Sequence, residues 1–432
     1  MAHISPLQAW RYAPDHVPLS RVVTQPYDKI TPTMQEAYYS ASPYNLVRII
    51  LGRHLPGDDE NRNVYTRSAA DFREWRQQGV LRADPEPSLY SYSQTFTVPG
   101  GAGQAERRGF IGLGRIEDYS AGVVFRHELT HSKPKADRLN LLRATRAHFG
   151  QIFMLYNGTS ATDALLRSSA APEIEVTDEY GVVHRVWRIS DPSVITKVQD
   201  QMRDQKLVIA DGHHRYETAL NYRNERRAAA GNTSAPAPYD WVMMTFVDMN
   251  TPGLTILPTH RVVFGLPDFS PDQLKSGAQQ YFAVDELNGT MDAASAAATL
   301  KRAGSNGTAL LAVTAQRTFL LHTPKALGTA LFSGLSARQQ SLDVVQLHKC
   351  VIEGVLKISE ESVRNLQNVS YYREPDEALA QVRAGKAQAA FLMNPVRIEQ
   401  MRDIALAGEV MPQKSTDFFP KLLSGLTIYA LE

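Results

Sequence analysis

The side chains best suited to chemistry stand together at Ala210-Asp211-Gly212-His213-His214-Arg215. The apolar run Leu207 to Ala210 reads as a strand that passes through Asp-Gly into a helix beginning near His213 and continuing as YETALNYRNERRAAA. Such a turn aims free backbone N–H groups and the positive end of a helix at one spot, which favours an anion. Gly212 allows close backbone approach, His213 and His214 can donate hydrogen bonds, and Arg215 can grip phosphate oxygens with two parallel bonds. Phosphate is therefore the expected guest. A plainer reading has Asp211 capping the helix with the histidines on its surface, but these residues in unbroken succession at a strand-to-helix junction favour the site. Zinc fits poorly, because adjacent histidines diverge on a helix and no third ligand stands at metal spacing.

Further clusters concentrate polar groups. Arg126-His127-Glu128 is followed by Thr130, His131, Lys135, Asp137 and Arg138, and Glu128 is placed to be a general base if it reaches a substrate proton. Pro258-Thr259-His260-Arg261 and Lys414-Ser415-Thr416 each set hydrogen-bond donors between apolar residues, as a carboxylate or phosphate site does. Either could also be a loop with satisfied local bonds. Tyr27, Asp28, Asn45 and Arg48 lie among prolines, and turn chemistry accounts for much of that pattern.

The elements that must position these residues alternate between strand and helix. SLYSYSQTFTV (88–98) and RGFIGLGRIE (108–117) predict two strands joined by a Gly-rich turn, which lacks the Lys-Ser/Thr and the helix of a phosphate loop. KADRLNLLRATRAHF (135–149) predicts a surface helix. VVHRVWRI, KLVIADG, YDWVMMTFVDM and LTILPTHRVVF predict strands, with GNTSAPAP (231–238) as a loop. Beyond about residue 267 come alanine-rich amphipathic helices and short strands, read as a separate α/β domain without internal repeat.

Composition narrows the classes. With 432 residues, 43% hydrophobic and 21% charged, the chain suits two or three folded domains. Lys plus Arg (46) nearly balance Asp plus Glu (45), so nothing drives the whole molecule toward nucleic acid or an anionic membrane. Cys350 has no disulfide partner, no secretory leader pattern opens the chain, and no apolar stretch reaches roughly 18 residues, so the expected location is cytoplasmic.

At DGHHRYETAL the chain resembles the free serine kinases of the ParB/sulfiredoxin-like superfamily, and FLMNPVRIEQMRDIALAGEVMPQKSTDFFP is similar in order and character to their C-terminal stretch. Arg126-His127-Glu128 resembles a His-Glu pair there whose glutamate is the catalytic base. Over nearly the whole chain, PYD, HE with KxDR, DGHHRYETA, LPTHR and PxKST follow in the order of a bacterial family that includes pyrophosphate-dependent serine kinases. The resemblance implies an α/β (α+β) protein with an N-terminal region (1–110), a ParB/sulfiredoxin-like catalytic core (111–265) and a C-terminal α/β domain (266–432). It also implies phosphorylation of free L-serine to O-phospho-L-serine, with magnesium and with pyrophosphate, ADP or ATP as co-substrate. Pyrophosphate is favoured because no adenine-binding or Walker sequence is present. The implied catalytic residues are Glu128, Asp211, His213 and His214. Phosphate would be held by Gly212, His213, His214, Arg215, Lys135 and Arg138, and substrate by Thr259, His260, Arg261, Lys414, Ser415 and Thr416. The alternatives are a ParB-like nucleotide-binding switch and a sensor of phosphoserine or pyrophosphate without turnover. Small molecules, with neither nucleic acid nor membrane, are the expected partners.

Overall fold

A computed structural model describes residues 1–101, 103–128, 132–159, 161–231, 235–305, 307–325 and 331–432, with 132–134 given by their backbone. Thr130 and His131 lie outside the described residues. The chain mixes helices with several sheets and divides into two compact units. The first comprises Met1–Arg126, Thr130–Thr255 and Pro420–Glu432; the second comprises His127–Leu129 and Ile256–Phe419.

The first unit is built on a mixed sheet of β1 (Ile4–Ser5), β2 (Leu89–Thr97), β3 (Gln104–Arg115), β4 (Val124–Phe125), β5 (Ile152–Tyr156), β6 (Ile174–Thr177), β7 (Val183–Ile189), β8 (Leu207–Asp211) and β9 (Trp241–Asp248). The strand order is β4-β8-β5-β9-β3-β2-β7-β6, and β1 adds to β3. β2 and β3 form the expected hairpin, with Tyr92 opposite Gly109 and Phe96 opposite Ala105. Every residue of β5 is buried, as are Leu207 to Ala210 of β8, which is why both read as unbroken apolar runs. Around this sheet run α1 (Val64–Gln77), α2 (Ser132–Thr145) and α3 (His213–Ala229).

α2 ends earlier than its apolar pattern suggests. Arg146 takes a left-handed backbone (φ 48), and Ala147 and His148 then pair with Ala430 and Tyr429. The terminal segment of the chain thus belongs to the first unit. α3 is anchored by Tyr216, which is fully buried, donates its hydroxyl hydrogen to the Glu117 carbonyl at 2.6 Å and accepts from the Glu117 N–H at 3.0 Å.

The second unit has a sheet of β10 (His260–Val263), β11 (Ala283–Leu287), β12 (Ala309–Val313), β13 (Thr318–His322), β14 (Val369–Tyr372) and β15 (Ala389–Met393), in the order β11-β13-β12-β15-β10-β14. Four helices flank these strands in sequence: α4 (Pro271–Ala278), α5 (Ala293–Gly304), α6 (Pro375–Arg383) and α7 (Ile398–Leu406). Leu311, Leu392, Leu300, Leu379 and Val382 belong to one core cluster between strands and helices. The stretch expected as one strand at 254–264 is divided: Thr255–Leu257 and His260–Val263 are separate, because Pro258 has no N–H to give a ladder. Residues Leu347–Val355 form a π-helix. Cys350 lies inside it, fully buried, and burial pushes its thiol up to about 12, far from the reactive range. No described helix is long and apolar enough to cross a membrane.

Candidate functional site

In the first unit the predicted strand-to-helix turn is present. The ladder between β8 and β5 shifts register between Ile209 and Asp211, and such irregularities redirect the side chain that follows. Gly212, which has no side chain to cap with, stands at the N-cap of α3 with φ 93. The glycine is required twice over. A side chain would be strained at that φ, and a Cβ would come 3.1 Å from Arg215 Nε and Nη2. His213 is buried while His214 and Arg215 are half-buried.

Arg215 does not extend into solvent as a free fork. Its Nη2 donates to Asp211 Oδ2 at 2.9 Å and its Nη1 to the Gln151 carbonyl, so it folds back over the turn. Lys421 approaches the other carboxylate oxygen, Nζ to Oδ1 at 3.4 Å. Burial alone would raise the Asp211 carboxyl, but the charges of Lys421, Arg215, Lys29 and His213 hold it well below its usual range. Asp211 is thus an ionised partner of fixed cations. Lys421 carries no local motif; its trace in the sequence is a lone lysine inside the apolar run FFPKLL. Its position is set from the sheet, where Gln94 Nε2 donates to the Lys421 carbonyl at 2.8 Å and fully buried Arg107 donates to the Pro420 carbonyl.

Beside the turn lies a cavity of about 70 Å³ whose lining includes Tyr27, Arg138, Phe149, Gly150 and Arg215. Tyr27, a lesser candidate in the sequence, lies 4.2 Å beneath the Arg138 guanidinium. Arg138 also donates to Asp137 and to the Ile50 carbonyl at 2.6 Å. Lys135 instead reaches Glu217 of α3, Nζ to Oε2 at 2.9 Å, where Arg126 Nη1 meets Oε1 at 3.2 Å. Glu217 is buried and holds both cations. Asn45 and Arg48 serve local structure: Asn45 Nδ2 donates to the Arg21 carbonyl at 2.8 Å, and Arg48 stacks over Tyr39.

The second unit brings Glu128 to the Lys414-Ser415-Thr416 loop. Glu128 Oε1 accepts from the N–H of Ser415 at 3.1 Å, the N–H of Thr416 at 3.4 Å and the Thr416 hydroxyl at 3.4 Å. His127 Nε2 lies 2.8 Å from Thr416 Oγ1. Lys414, exposed, adopts φ 55, a left-handed turn that a non-glycine residue takes only when its surroundings impose it. Successive N–H groups converging beyond such a turn form a nest for an anion, and here the guest is a carboxylate.

Arg261 holds this loop from behind. It is fully buried and donates from Nη2 to the Gln413 carbonyl at 3.1 Å, from Nε to His348 Nε2 at 3.2 Å and from Nη1 to the Thr259 carbonyl. Burial lowers it to about 10 despite the nearby Tyr371 and Glu128. His260, also buried, is lowered to about 4 by desolvation and then by Arg261. Thr259, half-buried, contributes its carbonyl to Arg261. Among the described residues no group of three or more His, Cys, Asp or Glu side chains could hold a metal ion.

Comparison with solved structures gives several matches, among them three proteins of low identity. A conserved hypothetical protein from Pyrococcus furiosus is 12% identical, with 69% of this chain and 89% of that one covered and a TM-score of 0.35. A free serine kinase in complex with AMP is 12% identical, with 68% and 83% covered and a TM-score of 0.34. C-terminally truncated SbnI from Staphylococcus aureus is 10% identical, with 73% and 85% covered and a TM-score of 0.34. Likeness at this level establishes no activity. No curated protein matches the chain. The sequence does match, over residues 4–345 and so over most of its length, the family described as protein of unknown function (DUF1015), and the chain belongs to that family.

Proposed function

We propose that this protein is a phosphotransferase that phosphorylates free L-serine, with pyrophosphate as the favoured donor. The observation that carries the reading is the turn at Gly212, where a helix start with a glycine N-cap meets Arg215, Lys421 and the charge of Lys29 around Asp211. Backbone N–H groups and fixed cations of this kind suit the oxygens of a phosphoryl group, and phosphoryl transfer depends chiefly on positioning and charge neutralisation. Pyrophosphate is the favoured donor because the sequence carries no adenine-binding or Walker pattern.

In the proposed reaction the serine hydroxyl oxygen bonds to the terminal phosphorus while the bridging P–O bond breaks. Phosphate leaves, and the hydroxyl proton passes to the Glu128 carboxylate. The N–H groups of Ser415 and Thr416, which now bind a carboxylate, would receive that of the amino acid, with exposed Lys414 adding charge; Glu128 is then released to act as base. Magnesium would enter with the donor's phosphates and neutralise them, which needs no cage of protein ligands.

One observation favours a second reading, a binding protein without turnover. Glu128 Oε1 is engaged by three donors, so that oxygen is occupied rather than open to a substrate hydroxyl. Phosphorus NMR on purified protein with L-serine, magnesium and, separately, pyrophosphate, ADP or ATP separates the two. A phosphoserine resonance growing with one donor supports the kinase and identifies its donor. Saturable donor binding without product under all three conditions would leave the binding protein.

A further inference from the structure

We infer that, given the phosphate site proposed at Gly212, Tyr92, Gln94 and Arg107 are positioning residues for it: from one face of the first-unit sheet they hold the backbone on both sides of Lys421 and so fix the ammonium that stands at Asp211. None of the three needs to touch the donor. Their effect on it runs through Lys421, whose Nζ lies 3.4 Å from Asp211 Oδ1.

Lys421 is placed by its main chain. Residues 418–429 are all buried, 421–423 belong to no strand or helix, and Lys421 is the one charged residue of the run. A buried stretch outside any ladder must find partners for its carbonyls and N–H groups elsewhere, and this one meets three on the sheet within four residues. Arg107 donates from Nη2 to the Pro420 carbonyl, Gln94 donates from Nε2 to the Lys421 carbonyl at 2.8 Å, and the Tyr92 hydroxyl bonds to the Leu423 backbone.

These anchors are tied to one another. Gln94 of β2 stands opposite Arg107 of β3 on one side and His184 of β7 on the other, and Tyr92, two residues before Gln94, shares its face. Arg107 Nε donates to Gln94 Oε1 at 3.1 Å. A guanidinium can only donate, so the amide is fixed with its nitrogen toward Lys421. The Tyr92 hydroxyl lies 2.7 Å from His184 Nδ1, and His184 Nε2 lies 3.2 Å from Asp178 Oδ2, whose partner oxygen accepts from the N–H groups of Tyr180 and Val182. Every side chain in this row is buried. A polar row containing a guanidinium costs more to bury than an apolar face of the same shape, and here three of its bonds out of the sheet converge on Pro420, Lys421 and Leu423. Burial lowers Arg107 to about 10, opposed by Tyr92 and then by Asp211, so this cation also lies within electrostatic reach of the carboxylate at the turn.

A double-mutant cycle on the full chain, read by calorimetric titration with magnesium pyrophosphate, tests the role. Gln94→Met removes the bond to the Lys421 carbonyl at similar volume and should weaken pyrophosphate about fivefold, the value of one hydrogen bond. Lys421→Met should weaken it about tenfold or more, as loss of a charged donor does. With Lys421→Met already present, Gln94→Met should weaken it no further, because the two act as one unit. Arg107→Lys keeps the charge but loses the fork; it should behave like Gln94→Met and replaces it in the cycle if that variant does not fold. Parental affinity in folded Gln94→Met and Arg107→Lys, or a fivefold loss that persists without Lys421, would overturn the positioning role and leave the kinase reading standing. The predicted cycle in a protein that makes no phosphoserine would support the positioning role and contradict the kinase. A parent protein that binds no pyrophosphate would overturn the positioning role together with the phosphate site.

Discussion

Gly212 shows how much one residue decides. Its φ of 93 lets β8 turn into α3 while the Arg215 guanidinium lies against the space a Cβ would take. Gly212→Ala should cost about 1–3 kcal/mol through backbone strain and, by pushing Arg215 from Asp211, weaken pyrophosphate binding. Thermal melting and calorimetric titration would check both, and a fully stable variant with parental affinity would refute this view of the turn. The Asp-Gly-His-His-Arg site is legible because it is local: strand, glycine and helix start are contiguous in sequence. Lys421 is not legible, because only folding brings it to Asp211, 210 positions away. The same holds for Glu128 and Ser415, separated by 287 positions. Residue types nominated both as carboxylate chemistry, but their bond to each other could not be read from spacing.

Among elements, α3 has the clearest division of labour. Its N-terminus forms the turn, Tyr216 ties its first turns to Glu117, and Arg226 and Arg227 stand in its last turn, where cations oppose the negative end of the helix. Tyr216→Phe removes both the donor to the Glu117 carbonyl and the acceptor of the Glu117 N–H. A loss of about 1–3 kcal/mol is expected, seen as a melting shift of several degrees; an unchanged melting curve would mean that the hydroxyl bond contributes nothing. Several elements follow from period and punctuation, including the β2–β3 hairpin and the buried strands β8 and β9; β5, a short apolar run directly after α2, is not among those read from the sequence. The misjudged boundaries have physical causes. α2 stops where Arg146 turns left-handed and the chain joins Tyr429 in a distant pairing. The π-helix has no signature separable from an ordinary apolar helix, because its widening reflects packing.

For the whole molecule, buried histidines predict a response to acid. His148 and His260 are lowered to about 4 and His348 lower still, chiefly by desolvation. In the unfolded chain each would titrate near about 6.5. Each is kept neutral in the fold, so its stabilisation is fully present above about pH 6.5 and is lost as pH falls from there through about 4, the unfolded state binding more protons. Up to roughly 3 kcal/mol per histidine is at stake. Melting temperatures should therefore drop between pH 7 and pH 5, more in the second unit, which holds His260 and His348, than in the first; a flat profile would contradict the burial of these rings. In the proposed reaction the decisive residue is Glu128. The most direct test is the initial rate of O-phosphoserine formation by the parent protein and by Glu128→Gln, both verified as folded, under identical donor and magnesium. A fall of about 10²-fold or more is predicted, the usual contribution of a positioned base. Equal rates in the two proteins would contradict Glu128 as base, and absence of product from the parent protein would contradict phosphotransfer to serine.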